Sequence, residues 1–123
     1  FDHLVKNQAN MISICSENSY VSSNATISSG TIIMHGAIIQ TNVKIGKNCI
    51  INDRSLIEHD SVIGDNCHIS TGAIINGNCK IGNGVFIGSS AVIKNGINIA
   101  DDCIVGMGAI IKKDISENNT IIR

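Results

Sequence analysis

Few side chains in this chain of 123 residues are equipped for chemistry, and their spacing limits what that chemistry is. An imidazole titrates near neutral pH and takes a proton readily at pH 7. His35, His59 and His68 are therefore the first residues to place, and His59 is followed directly by a carboxylate, Asp60. The five Cys are an odd number for a disulfide framework, and no CxxC, CxxH or HxxxH spacing suggests a zinc site. No phosphate loop or dinucleotide fingerprint is present, because the glycines mark turns. No Cys or Ser is placed as a nucleophile.

What positions these residues is a repeat. Ile or Val recurs every six residues from Val21 through Ile27, Ile33 and Ile39 to Val105 and Ile111, sixteen positions without a break. Four residues after each comes a second set dominated by small side chains, such as Ala25, Thr31, Ala37, Cys49, Ser55, Ser61, Cys67, Ala73, Cys79 and Cys103. Between them, three residues after each Ile or Val, stands Gly, Asn or Asp in fourteen of sixteen hexads. Those types adopt a left-handed backbone at little cost. Each hexad thus reads as a short strand, a sharp corner and a small inward residue, and three hexads close a triangular coil. Coils of eighteen residues stacked about 4.8 Å apart predict an all-β, left-handed parallel β-helix roughly 25 Å tall. Stacked ladders should recur at intervals of eighteen: Asn24, Asn42, Asp60, Asn78, Gly96 and Asp114 on one corner, Ile27, Ile45, Ile63, Ile81 and Ile99 in one inner column.

Composition agrees with an unusual core. Hydrophobic residues make up 43% but aromatics only 2%, with no Trp and no Pro, so a regular Ile column must replace jigsaw packing. A net charge of -1 argues against nucleic acid or an anionic membrane as main partner. No apolar run approaches the roughly 18 residues that span a bilayer, and no signal segment opens the chain. The expectation is one cytoplasmic domain over residues 15–116, with no membrane insertion. Residues 1–14 read as a linker, cap or remnant of a preceding domain, and residues 117–123 as a frayed tail. A start at Phe1 rather than Met reads as an excerpt. In this frame Cys49, Cys67, Cys79 and Cys103 are small buried hydrophobes kept reduced.

The hexads Ile45-Gly46-Lys47-Asn48-Cys49-Ile50, Ile63-Gly64-Asp65-Asn66-Cys67-His68 and Ile81-Gly82-Asn83-Gly84-Val85-Phe86 resemble the bacterial hexapeptide-repeat acyltransferases. The stretch from Asn52 to Ser70, with Glu58-His59-Asp60 and the later His68-Ile69-Ser70, is similar to the active-site segment of sugar O- and N-acetyltransferases. These include the sialic acid O-acetyltransferase and UDP-4-amino-sugar N-acetyltransferase types.

The resemblance implies an acetyl-CoA-dependent transfer to an amine or hydroxyl of a sugar or nucleotide sugar, by direct attack and without a metal. It implies His59 as general base and Asp60 as its carboxylate partner. It implies Gly77, eighteen residues beyond His59, as an amide facing the acetyl carbonyl. Asn52 and His68 are implied acceptor contacts. His68 lies half a coil from His59, so both join one site only across two subunits, in keeping with the homotrimers of that family. The pantetheine arm of the donor is implied to pass Ser89 and Met107, with Lys112 and Lys113 near its phosphates. The chain departs from that family in Asp53-Arg54 after Asn52, in its ending Asn118-Asn119-Thr120-Ile121-Ile122-Arg123, and in lacking a βαβ sugar-binding domain within residues 1–14. A γ-type carbonic anhydrase on the same fold would need three His on adjacent corners, and His35, His59 and His68 lack that spacing. A non-catalytic trimeric scaffold is the other reading.

Overall fold

In the computed structural model, which describes residues 1–123, each hexad becomes one two-residue strand paired with the strand eighteen residues on, as Ile50 with His68 and Ile57 with Ile75. Three parallel sheets result. Sheet A runs from Ile14–Cys15 through Ile50–Ile51, His68–Ile69 and Phe86–Ile87 to Ile121–Ile122. Sheet B runs from Tyr20–Val21 through Leu56–Ile57 to Ile110–Ile111, and sheet C from Thr26–Ile27 through Val62–Ile63 to Asn98–Ile99. This is the parallel β-helix that the hexapeptide period requires.

The second residue of each strand points inward, and Ile39, Ile51, Ile57, Ile69, Ile75, Ile87 and Ile93 are fully buried. Each such side chain contributes about 2 kcal/mol, which is how an Ile column substitutes for aromatics. The small set fills the corners, and its hydroxyls are satisfied: Ser55 Oγ donates to the Asn52 carbonyl at 2.8 Å and Ser61 Oγ to that of Asn76 at 3.0 Å. All five cysteines are free, and only Cys15 is exposed. The hydrogen bond with Cys49, together with burial, pushes the Cys67 thiol up, and burial does the same for Cys79.

Fourteen consecutive corners, from Gly30 to Gly108, adopt positive φ, but they are not the fourteen that residue type selects. Asn24 and Asp114 do not, whereas Arg54 (φ 55°) and Ser90 (φ 58°) do. Closure of the coil therefore overrides a local cost of about 1–2 kcal/mol. Asp114 departs because the last coil is shortened. Ile99 bridges Ile115, sixteen residues on, and Ile104 pairs with Ile121, seventeen on. Asp114 Oδ1 instead accepts the Asn98 amide at 2.9 Å, at the end of sheet C. Residues 117–123 are not frayed: Ile121–Ile122 adds the seventh strand of sheet A. Residues 1–14 contain the short helix α1 (Asp2–Lys6), which buries no residue, and they contribute Ile14 to the first strand.

Ile63→Ala is expected to cost about 2–5 kcal/mol, the range for emptying a packed aliphatic site. Arg54→Gly is expected to stabilise by up to about 1 kcal/mol by relieving the left-handed corner. Urea unfolding midpoints check both. An Arg54→Gly midpoint below that of the parent would mean that the arginine side chain contributes more than its backbone costs.

Candidate active site

His59 and Asp60 occupy the corner between Leu56–Ile57 of sheet B and Val62–Ile63 of sheet C. Their side chains are 52% and 44% exposed, so the pair stands open to solvent on an edge of the prism. His59 Nδ1 lies 2.9 Å from Asp60 Oδ2. A carboxylate only accepts, so Nδ1 carries the proton and Nε2 is left with its lone pair. The other carboxylate oxygen, Oδ1, accepts from Asn42 Nδ2 at 3.1 Å, one coil earlier. The bonds from His59 and then Asn42 hold the Asp60 carboxyl below the usual carboxylate range. Asp60 is thereby fixed and charged when the imidazole is neutral.

Gly77 lies one coil further along the same edge. A Cβ built there would come within 2.7 Å of His59 Cε1 and Nε2, so the imidazole rests on the bare Gly77 backbone with Nε2 toward it. At the neighbouring edge, the Lys47, Asp65 and Asn83 amides donate to side-chain oxygens of the next coil. The Gly77 amide has no acceptor within the chain. A free lone pair and an unpaired N–H thus stand on successive coils of one edge, and these are the two groups that proton transfer and oxyanion stabilisation need.

The remaining expected residues divide between edges. Asn52 and His68 come together on sheet A: Asn52 Oδ1 accepts the Asp53 amide at 2.8 Å, which orients its Nδ2 toward His68 Nε2 at 3.3 Å. Nε2 of His68 accepts this bond, and the ring meets Phe86 edge-on at 5.3 Å. Sheet A is the face opposite the His59 corner, so one chain does not bring these two His together. Ser89 and Met107 stand on the edge between sheets A and B with His35, Asp53 and Thr71, away from His59, and Met107 is 82% exposed. Lys112 and Lys113 continue the His59 edge. Glu58, Asn76, Lys94 and Lys112 form one column there, and His59, Gly77, Asn95 and Lys113 the next. Sequence reasoning passed over Lys94 and the role of Asn42, although the interval of eighteen marks both. No cluster of His, Cys, Asp or Glu suited to a metal ion is present.

A profile of the bacterial transferase hexapeptide family (six repeats) matches residues 24–59, 42–77, 60–95 and 78–113. A comparison with curated protein sequences gives no match. Among solved structures, the chain is similar to the acetyltransferase domain of PglB from Neisseria gonorrhoeae FA1090, at TM-score 0.95 and 25% identity over 98% of this chain and 58% of that one. A second structure of that domain is a complex with acetyl coenzyme A. PerB from Caulobacter crescentus, in complex with CoA and GDP-perosamine, matches at TM-score 0.91 and 25% identity over 93% of this chain and 55% of that one. WeeI from Acinetobacter baumannii AYE matches at TM-score 0.88 and 33% identity over 93% of this chain and 56% of that one. The chain thus spans between 55% and 58% of the length of these three.

Gly77→Ala is expected to leave the fold intact, because Gly77 is not a left-handed position, but to displace the imidazole and weaken its bond to Asp60. Imidazole nitrogen chemical shifts of His59 read this directly, and unchanged shifts would show that the ring does not lie on Gly77. Because the folded-state value of Asp60 is depressed, its contribution to stability is fully present above the unfolded carboxylate value and is lost as pH falls through the folded one. Asp60→Asn should remove that acid-side loss in a series of unfolding curves against pH.

Proposed function

Because the chain belongs to the bacterial transferase hexapeptide family, we propose that it is an acetyl-CoA-dependent acetyltransferase acting on a sugar or nucleotide sugar. The observation that carries this reading is the His59 imidazole, held by Asp60 through Nδ1, with its Nε2 edge against the bare Gly77 backbone, whose amide is unpaired. In the reaction, the acceptor amine or hydroxyl attacks the thioester carbonyl and its proton passes to His59 Nε2. The carbonyl oxygen takes up the electron pair and is stabilised by the Gly77 N–H. Collapse breaks the carbon–sulfur bond, and the proton on Nε2 goes to the leaving thiolate. Asp60 stays ionised throughout and stabilises the imidazolium between the two transfers. No covalent enzyme intermediate is needed, in keeping with the burial of Cys49, Cys67, Cys79 and Cys103.

The donor lies along the His59 edge toward the C-terminal coils, where Lys94, Lys112 and Lys113 supply positive charge for its phosphates. The acceptors are a UDP-4-amino-sugar or a sialic acid hydroxyl in cell-surface glycan synthesis, and the GDP-perosamine bound by PerB supports a nucleotide sugar. Residues 15–116 form the catalytic unit.

The working form is a homotrimer, and the three outer faces support it. Sheet A presents Ile14, Ile32, Ile50, Phe86, Ile104 and Ile121 outward, and sheet B presents Tyr20, Ile38, Leu56, Ile74, Val92 and Ile110. Sheet C presents Thr26, Lys44, Val62, Lys80 and Asn98. Two apolar faces and one polar face suit the head-to-tail contacts that close a ring. A neighbouring copy then brings Asn52 and His68, on its sheet A, and Ser89 and Met107, beside it, to the His59 edge. No helix is long and apolar enough to cross a membrane. Four buried free thiols suit a reducing compartment, and we place the protein in the cytoplasm.

His59→Ala is expected to lower kcat by about a hundredfold or more, with acetyl-CoA affinity largely retained. A thiol-release assay with acetyl-CoA and a panel of UDP-4-amino-sugars, sialic acid and simple sugars measures this. A rate that does not depend on His59 would remove it from the mechanism. Acetyl-CoA binding without transfer to any acceptor would favour the scaffold reading.

A further inference from the structure

The His59 edge is not symmetric about the dyad. On its N-terminal side lies a cavity of about 370 Å³ lined by Asn24, Asn42, Lys44, Asp60 and Val62. That size falls at the lower end of small-molecule sites. Its groups are partly committed. Asp60 spends Oδ2 on His59 and Oδ1 on Asn42, and Asn42 spends its amide nitrogen on Asp60. What is left to meet a ligand is the Asn42 carbonyl oxygen, the Asn24 amide, whose contact to Thr41 Oγ1 is long at 3.5 Å, the Val62 methyls and the Lys44 ammonium. Lys44 forms no ion pair; the only pairs in the chain are His35 with Asp53 and His59 with Asp60. Lys44 is paired in register with Val62, one coil before it, so the cation stands on the side of Asp60 away from Gly77.

The geometry points to this cavity as the acceptor's anion-binding subsite, with Lys44 as the residue that selects acceptors carrying a negatively charged group. This rests on the acetyltransferase reading above. His59 Nε2 faces Gly77 rather than the cavity, so the cavity does not hold the reacting amine or hydroxyl. It holds a remote part of the acceptor, whose ring extends past Asp60 to reach Nε2. Amides for hydroxyls, methyls for an apolar ring face and one free ammonium suit a sugar bearing a carboxylate or a phosphate group. The unpaired lysine makes the anion the selective feature: Asp60 stays ionised, but both of its oxygens are turned to His59 and Asn42, and Lys44 is the only cation that lines the cavity.

The test uses Lys44→Gln, with Lys80→Gln on the same sheet face but outside the cavity as control. Three acceptor probes separate the sources of the anion: a UDP-amino-sugar, sialic acid and a neutral amino sugar. Lys44→Gln is expected to lower selectivity for the anionic over the neutral acceptor by about tenfold, chiefly through KM, as loss of a charge-assisted contact should. The parent's KM for the anionic acceptor should rise with salt more steeply than that of the variant. Whichever anionic probe shows the effect names the source. Binding without turnover is read from the side-chain amide signals of Asn24 and Asn42 in NMR titrations with the same probes. Perturbation of those signals by an anionic probe, lost in Lys44→Gln, supports the subsite even where no acetyl transfer occurs, in which case only the transferase reading fails. Selectivity within twofold of the parent, or amide signals that no anionic probe moves, overturns the subsite even where transfer proceeds.

Discussion

Backbone amides of each coil donate to carbonyls of the next, as Ile50 to Cys67, Leu56 to Ala73 and Val62 to Cys79, and every other feature depends on keeping this register. The ladder persists only if each coil is flat, and a flat triangular coil of eighteen residues needs three abrupt corners. The backbone meets that demand with a left-handed residue at fourteen consecutive corners. Arg54 and Ser90 show that the demand belongs to the coil and not to the residue, since both are forced into a conformation that their side chains disfavour. The same register creates the site. Residues eighteen apart sit about 4.8 Å apart, so Asn42 reaches Asp60 and Gly77 reaches His59 through stacking alone, with no loop or insertion.

This explains why so much was legible in the sequence. A strict period of six identifies the inward columns, and an interval of eighteen places Gly77 over His59 and Asn42 under Asp60. Legibility stops where stacking stops. Asp114 lies on the ladder of Asn24 by count, yet the last coil has no full neighbour and contracts, so Asp114 turns to the Asn98 amide. The strand at Ile121–Ile122 was hidden for the same reason, being offset by one residue from the period. Nor does a repeat specify side-chain orientation. That His59 offers Nε2 to Gly77 follows from the bond between Nδ1 and Asp60, which a count of residues does not contain.

The edges of the prism differ although the hexads that build them are alike. The edge between sheets C and A is sealed by its own side chains, with Asp65, Asn83 and Asp101 each capping an amide of the previous coil. The His59 edge leaves such groups open at Gly77 and commits its carboxylate to an imidazole. A repeat protein gains stability by satisfying every position identically, so an edge that leaves an amide unpaired gives up part of that gain. Among its open amides, that of Gly77 belongs to the residue on which the only imidazole in a short bond to a carboxylate rests, and that juxtaposition is the reason to read the edge as a site.

Charge along that edge then gives the site a direction. Toward the C-terminal coils stand Lys94, Lys112 and Lys113; toward the N-terminal coils stand Asn42, Asn24 and the lone cation Lys44. Both sides attract anions, but they lie on opposite sides of one imidazole whose two nitrogens already have different partners. A donor with several phosphates suits the side with three cations and the free Gly77 amide. The side with one cation and two amides suits a smaller, hydroxylated and singly or doubly charged molecule. Because the coils cannot slide without breaking the ladder, the separation between these two sides is set by the backbone, and the order of residues along the chain decides which cations stand on which side of His59.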